Sequence, residues 1–384
     1  MQKERLKWID GLKGLACLLV FWHHFLVGFF PRMYYGSVVP AHLSVISEES
    51  LAQSPILFFL NGNFMVAIFC AVSGVVVSLS IFETDNDNIG KVITKRYPRL
   101  MLPIIPIAFV VYLMLKYISM SHVEVSAVTG SPWLSGFYCD EINIMQLLHS
   151  LFIGIWLNGD PLISNAYWVL NQLFLGTFVV IIMTLAVKRG KMLWAIVFLN
   201  FASFVLLFLN NMMFIFPISV LICYLYLNVQ IVFNRPLVGT IFTLIGIFLG
   251  GYPSGIEHPT NIYKVLDRDI LKLSTYTFWH VLGAVFLIYG LFNLKFIIKI
   301  LENKVFLFFG KISYAVYLIH IPLLFSAGTY LFKIIYTGEN YLGAVLMAFV
   351  LINVMVVISA FLYNRFVENR CEKIIKKLNS FYIE

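Results

Sequence analysis

The feature that most constrains this chain is a series of apolar segments, each about as long as a bilayer is thick. A helix crosses the hydrocarbon core with about 20 apolar residues. Because unsatisfied backbone groups are costly in lipid, such segments cross as α-helices. The sequence therefore predicts an all-α polytopic membrane protein, a bundle of about ten transmembrane helices, at about residues 9–30, 56–81, 100–119, 166–187, 192–210, 212–230, 236–251, 271–292, 305–331 and 341–363.

The composition supports the membrane class and argues against other classes. Hydrophobic residues make up 60% of the chain and charged residues only 12%, against about 25% charged residues in soluble domains. The net charge of +8 is explained by Lys and Arg in cytoplasmic loops beside anionic headgroups, so we expect no nucleic-acid partner. The five cysteines form no Cys-x-x-Cys pair, so we predict neither a disulfide framework nor a metal site.

The distribution of basic residues predicts the orientation of the spans. Residues 142–158 are apolar but short, and His149 interrupts them. A full crossing there would place three later basic residues outside, whereas the positive-inside rule favours a re-entrant or interfacial segment. Those three residues are Lys188, Arg189 and Lys191. Both termini are then cytoplasmic, with residues 1–367 forming the transmembrane domain and residues 368–384 a basic cytoplasmic tail.

The first predicted span carries ionisable groups on one helical face. Asp10, Lys13, Cys17 and His24 are spaced by three, four and seven residues. Lys13 and His24 are about 16 Å apart along the helix axis, so they cannot touch. Ionisable groups inside a span are energetically costly and indicate function. A neutral imidazole accepts a proton near pH 7, so His24 is a candidate general base.

Several motifs of this chain resemble those of one family. Asp10 to Gly14 reads Asp-Gly-Leu-Lys-Gly, ten residues separate Lys13 from His24, residues 96–99 read Arg-Tyr-Pro-Arg, and residues 313–320 read Ser-Tyr-Ala-Val-Tyr-Leu-Ile-His. Together they resemble the acyltransferase-3 family of bacterial integral-membrane O-acyltransferases, which modify envelope sugars. The resemblance implies ten spans, an acyl-CoA donor substrate and a catalytic role for His24.

Arg96 and Arg99 allow two interpretations. From composition alone they mark the cytoplasmic end of a span. Guanidinium groups also bind phosphates through charge-assisted, often bidentate bonds, and the resemblance implies that the pair holds the phosphates of coenzyme A. Lys13 is a candidate third cation on the same side of the membrane.

Polar residues in two later segments are candidates for substrate binding. Trp168, Asn171 and Gln172 open a predicted span, and amides within lipid need partners. Gln172 stands where the resembled family often has Glu. Tyr317 and His320 lie three residues apart on one helical face, which we interpret first as hydrogen bonding between spans and second as an acceptor pocket.

The resemblance, together with the placement of these residues, thus predicts a membrane O-acyltransferase that moves an acyl group, most simply acetyl, from cytoplasmic acyl-CoA to a hydroxyl of an envelope glycan or glycolipid. His24 is the predicted base, and a transient acyl-histidine is a variant of this mechanism. The expected location is the bacterial inner membrane. Two alternatives stay open at this point, a transporter of a sugar, lipid or organic acid and a scaffold within a polysaccharide assembly.

Overall fold

A computed structural model describes residues 6–44, 46–84, 88–209, 212–229, 232–268 and 273–380. Within these ranges the regular structure is helical, with no strand. The first eleven α-helices are α1 (Lys7–Phe29), α2 (Arg32–Tyr35), α3 (Glu48–Ala52), α4 (Gly62–Glu83), α5 (Ile89–Thr94), α6 (Arg96–Met101), α7 (Ile104–Tyr117), α8 (His122–Thr129), α9 (Pro132–Ser135), α10 (Ile144–His149) and α11 (Ile155–Asn158). The remaining ten are α12 (Trp168–Val187), α13 (Met192–Phe208), α14 (Ile215–Asn228), α15 (Pro236–Gly250), α16 (Thr275–Phe292), α17 (Lys295–Leu301), α18 (Lys304–Leu323), α19 (Thr329–Ile335), α20 (Tyr341–Tyr363) and α21 (Asn369–Ser380).

Seven helical stretches of the described chain are long and apolar enough to cross a membrane, which confirms the predicted all-α, multi-pass class. They are Lys7–Phe29, Gly62–Glu83, Val92–Tyr117, Trp168–Val187, Thr275–Phe292, Lys304–Ile335 and Tyr341–Lys377. The other three predicted spans are shorter apolar helices, Met192–Phe208, Met212–Asn228 and Pro236–Gly250. At 1.5 Å per residue these measure about 22 to 26 Å, somewhat less than the hydrocarbon thickness. Ile144–Asn158 is also a short apolar helix, and its membrane depth and the orientation of the termini stay predictions.

The described chain forms two compact units, each assembled from three segments. The first unit comprises Met1–Val20, Gln53–Val92 and Gln172–Lys311, and the second comprises Phe21–Ala52, Ile93–Asn171 and Ile312–Glu384. Helices α1, α5, α12 and α18 contribute residues to both units. The candidate site residues therefore divide between the units according to their position in the chain.

The first unit is built on close helix packing. Helix α4 packs against α14 and α16, and α15 runs along α16. A Cβ atom on Gly246 would lie 2.7 Å from the Gly283 carbonyl oxygen, so glycine is required where these two backbones meet. Small residues at such contacts let membrane helices approach closely and gain van der Waals energy.

In the second unit, two partly buried tyrosines fix the break between α6 and α7. The N-cap of α7 is Pro103, which has no backbone N–H and interrupts the helix. The hydroxyl of Tyr314 donates to the Leu100 carbonyl, and that of Tyr363 donates to the Pro103 carbonyl. The break thereby presents Arg96 and Arg99 on a short helix of their own.

The C-terminal helices run without a gap through the predicted domain boundary. A π-helical segment, Asn364–Glu368, joins α20 to α21, and residue 368 lies in it. Within the second unit, α21 packs against α6. The division into a transmembrane domain and a cytoplasmic tail stays a prediction.

Candidate functional site

Two histidines from distant parts of the sequence meet in the second unit. The Nε2 atom of His320 lies 3.2 Å from the Nδ1 atom of His24. Their ring centroids are 5.1 Å apart. His320 is buried and His24 is partly exposed. We call this pair the histidine dyad.

The hydrogen bonds of the histidine dyad fix which nitrogens carry protons. Nδ1 of His320 lies 2.8 Å from the Tyr317 carbonyl oxygen and 3.1 Å from that of Val316. A carbonyl only accepts, so Nδ1 of neutral His320 carries the proton and its Nε2 accepts. Nδ1 of His24 is then the donor between the rings, and the lone pair of His24 lies on Nε2. That nitrogen is the one able to take a proton from a substrate.

Near His320, a proline removes one backbone hydrogen bond of α18 and a tyrosine hydroxyl replaces it. Pro322 lies inside α18 and has no N–H to donate to the Leu318 carbonyl, four residues before it. The hydroxyl of Tyr167 donates to that carbonyl at 3.0 Å. The helix then continues as a π-helical segment, Leu324–Gly328, and such segments occur frequently at functional sites.

Trp133 forms a flat wall over His24. Its ring stacks on the His24 imidazole with centroids 5.4 Å apart and an angle of 20° between the planes. The segment that carries it is tied to α1, because the Ser131 hydroxyl donates to the Val27 carbonyl at 2.8 Å. The His23 ring also meets the His24 ring, at 5.5 Å between centroids, and it contacts Tyr34 at 5.6 Å. Trp133 and His320 together restrict the orientation of the His24 ring.

Arg96 and Arg99 lie on α6, one helical turn apart, and Arg99 is exposed. Tyr97 between them anchors this helix. Its hydroxyl donates to the Phe152 carbonyl at 3.0 Å, and its ring meets that of Trp156 at 5.3 Å between centroids. The anchored helix presents a guanidinium at the protein surface, where it is suited to bind phosphate.

Lys13 belongs to the first unit. Its ammonium lies 3.6 Å from an Asp10 carboxylate oxygen, one helical turn earlier on α1. Both side chains retain about a quarter of their exposure, at 28% and 25%. The predicted role of Lys13 in phosphate binding stays a prediction.

The other predicted substrate residues have varied surroundings. Asn171 is buried, and its amide donates to the Trp156 carbonyl at 2.7 Å, which closes the end of α11. The hydroxyl of Tyr317 donates to the Ala166 carbonyl. Trp168 is the first residue of α12 and belongs to the second unit. Gln172 lies further along the same helix and belongs to the first unit. Asn171 and Tyr317 thus have structural bonds, and a role of any of the four in binding stays a prediction.

Two residues of the site were missed in the sequence. Trp133 lies on α9, which has only 4 residues and is too short to show a helical periodicity. Tyr167 lies within the polar run at residues 165–172 that opens a predicted span, but its partner carbonyl on Leu318 follows 151 positions later. The described residues contain no group of three or more His, Cys, Asp or Glu side chains arranged to hold a metal ion.

Comparison with known proteins identifies the family of this chain. The acyltransferase-3 family model, described as an acyltransferase domain, matches residues 6–364. The chain is 33% identical over 147 residues to acyltransferase clz18 of Cochliobolus lunatus, covering 36% of this chain and 31% of that protein. It is 26% identical over 143 residues to acyltransferase R4 of Phoma sp., covering 35% of this chain and 30% of that protein. The chain thus spans about a third of the length of these relatives. No solved structure matches it.

The family match extends over nearly the whole described chain and includes the histidine dyad, α6 and the segment of Trp133. The chain therefore belongs to the acyltransferase-3 family, as its motifs predicted. It is a multi-pass membrane member of that family, because its helices are long and apolar enough to span a bilayer.

Proposed function

We propose that this protein is a membrane O-acyltransferase that moves an acyl group, most simply acetyl, from cytoplasmic acyl-CoA to a hydroxyl of an envelope glycan or glycolipid. The observation that carries the proposal is the histidine dyad, which leaves the lone pair of His24 on Nε2. Acyl transfer to a hydroxyl needs such a base, because a neutral alcohol is a weak nucleophile. Family membership favours this enzyme over a transporter or a scaffold.

The proposed reaction has two proton transfers, one from the acceptor hydroxyl to His24 and one from His24 to the leaving thiolate. Nε2 of His24 takes the hydroxyl proton as the acceptor oxygen attacks the thioester carbonyl carbon. The resulting imidazolium keeps its Nδ1–H bond to His320. The tetrahedral intermediate then collapses, the carbon–sulfur bond breaks, and the imidazolium returns the proton to the departing CoA thiolate. The products are an ester and free CoA, and His24 is neutral again.

Donor binding is assigned to α6. Arg96 and Arg99 lie one turn apart on a helix anchored by Tyr97, and the CoA diphosphate and 3′-phosphate are ligands that guanidinium groups prefer. The cytoplasmic location of CoA agrees with the positive-inside prediction for this end of the span. Lys13 is proposed as a further cation for the donor.

The sequence motifs also lead us to propose the class of the acceptor and the membrane in which the protein is located. The spacing from Lys13 to His24 and the Arg96 to Arg99 motif resemble those of bacterial enzymes that modify envelope sugars. The two aligned relatives are named as acyltransferases. We place the protein in the bacterial inner membrane, acting on O-antigen, capsule or exopolysaccharide, with Trp168, Asn171, Gln172, Tyr317 and His320 as candidates near the acceptor.

Labelled acetyl-CoA tests this proposal. Membranes of the native host, of a deletion strain and of the deletion strain complemented with His24→Ala are incubated with the label. We expect base-labile label in a glycan fraction only with the wild-type protein. Equal labelling in the deletion strain would contradict the proposal.

A further inference from the structure

A cavity opens in the second unit, within the loops that connect α7, α8 and the segment after α9. Its volume is about 230 Å³. One part of its lining is apolar, including Leu115 and Ile118, and another part is polar. The polar part comprises His122, Tyr138, Asp140 and Glu141.

His122 is the unusual member of this cavity. The residue is 3% exposed, and neither ring nitrogen has a hydrogen-bond partner among the described residues. Burial lowers the pKa of His122, and the backbone of Phe137 opposes this in part without the geometry of a hydrogen bond. A neutral imidazole offers one donor and one acceptor, as a hydroxyl group does. Buried polar atoms without partners destabilise a fold, so a ligand with hydroxyl groups would complete this side chain.

The cavity wall continues to the histidine dyad through aromatic rings. Phe325 is buried in the π-helical segment after α18, and its ring meets those of His122 at 5.4 Å and Tyr138 at 5.1 Å between centroids. On its other side Phe325 meets Trp133 at 4.7 Å, and Trp133 stacks on His24. Two aromatic rings therefore stand between the cavity and the base, so a sugar ring in the cavity would belong to a part of the acceptor away from its reacting hydroxyl.

The backbone at Tyr138 also indicates a specialised wall. Its φ of 58° lies in the left-handed region, which is uncommon for a bulky residue. The hydroxyl of Tyr138 donates to the Ile163 carbonyl at 2.7 Å. This hydrogen bond holds the Tyr138 ring against the cavity. The Tyr138 backbone adopts a conformation that is rare for an L-residue, and such conformations are concentrated at functional sites.

Charge decides which hydroxyl-bearing ligand fits. Asp140 and Glu141 are exposed at the cavity and are its two carboxylates. Lys116 follows Leu115 in the chain, but its ammonium lies over the rings of Tyr112 and Tyr117. Carboxylates accept hydrogen bonds from hydroxyls and repel an anionic ligand. The mixed lining suits a ring with apolar C–H faces and a polar edge.

We infer that this cavity is a subsite for the acceptor glycan, away from its reacting hydroxyl, and binds an uncharged sugar ring through His122, Asp140 and Glu141. The inference rests on the proposed function for its biological meaning. It adds a location and a charge class for the acceptor, because a uronic acid or a phosphorylated sugar is disfavoured there.

Binding of simple glycosides tests this inference without acyl transfer. The full-length protein is purified in a detergent without a sugar headgroup, and saturation-transfer NMR is recorded with methyl glycosides of glucose, galactose and N-acetylglucosamine. The matched anionic probes are the methyl glycosides of glucuronic and galacturonic acid. We expect signal from at least one neutral glycoside and weaker signal from its uronic acid.

Three variants sharpen the test. His122→Phe keeps a ring but removes the nitrogens, so we expect about tenfold weaker binding of the neutral glycoside with a melting temperature equal to or above that of the wild type. Asp140→Asn with Glu141→Gln should raise binding of the uronic acid relative to the neutral sugar. Glu339→Gln, an exposed carboxylate that does not line the cavity, should change neither.

The outcomes separate this inference from the proposed function. Equal binding of neutral and anionic probes, unchanged binding in His122→Phe, or no binding of any neutral glycoside would overturn the acceptor subsite. The labelled acetyl-CoA assay judges the proposed function independently. Sugar binding without acyl transfer would contradict that function alone, and transfer without this sugar binding would contradict the subsite alone.

Discussion

Two buried histidines, one in each unit, show how hydrogen-bond partners determine what a histidine can do. In the first unit, Nε2 of His280 lies 2.8 Å from the Tyr252 carbonyl oxygen and 3.0 Å from the Asn61 amide nitrogen. That amide donates its two hydrogens to the Tyr252 and Gly250 carbonyls. In the second unit, Nδ1 of His320 donates to backbone carbonyls, and Nε2 of His320 accepts from His24.

The difference lies in where each chain of hydrogen bonds ends. The bonds around His280 and Asn61 end on backbone carbonyls, and they join α4, α16 and the turn after α15. The bonds of His320 lead to a second imidazole, whose Nε2 then holds a lone pair. Burial alone therefore does not identify a functional histidine. We assign His280 a structural role and His320 the positioning of His24.

The largest expected effect comes from removing the base. His24→Ala should lower kcat/KM for acyl transfer by about 10² to 10⁴, the usual contribution of general acid–base catalysis. Initial rates with labelled acetyl-CoA, normalised to protein in the membrane, measure this. His23→Ala is the matched control, because His23 contacts the His24 ring but has no proposed role in proton transfer. Similar losses in both variants would contradict the assignment.

The second effect tests whether His320 positions His24. His320→Leu removes the acceptor for the Nδ1–H of His24, and we expect about a 10- to 100-fold lower kcat, the scale of one lost hydrogen bond to a charged group. His320→Gln supplies a carbonyl oxygen as acceptor and should recover part of the rate. A purely structural role predicts that the two variants differ in amount of folded protein but not in kcat.

The third effect concerns donor binding on α6. Arg99→Ala should raise KM for acyl-CoA about tenfold or more, because a charge-assisted hydrogen bond to phosphate is lost. Arg99→Lys keeps the charge but not the fork geometry, so its KM should be intermediate. Lys95→Ala removes an exposed cation beside the same helix and should have little effect. Equal KM values for the wild type and these three variants would contradict a role in donor binding. The basic residues would then mark only the cytoplasmic end of a span.

The smallest effect on activity is expected in the first unit. Asn61→Ala removes bonds to two buried carbonyls, and we expect a loss of about 1 to 3 kcal/mol in the free energy of unfolding. Activity per folded molecule should stay within about twofold of the wild type, a change below 0.5 kcal/mol. Asn200→Ala, at an exposed site on α13, is the stability control. A large loss of kcat in Asn61→Ala would remove the distinction between the two histidine clusters.

The apolar segments were sufficient to predict the helices, because hydrophobic length is a local property of the sequence. The family and His24 were predicted from spacings within single segments, such as the ten residues between Lys13 and His24. The dyad was not predicted, because His320 follows His24 by 296 positions and the pairing depends on tertiary structure. Trp133 and His122 lie in loop or short-helix segments without periodic signals, so their places at the site and the cavity became visible only in the fold.

The most direct test of the account is the tautomer of His24. The protein is labelled with ¹⁵N-histidine and reconstituted in bilayers, and solid-state NMR of wild type, His24→Ala and His320→Leu assigns the two rings. We predict that His24 carries its proton on Nδ1 in the wild type, with a through-space contact to Nε2 of His320, and that His320→Leu loses this preference. A wild-type His24 protonated on Nε2 would contradict the proposed base and its positioning by His320.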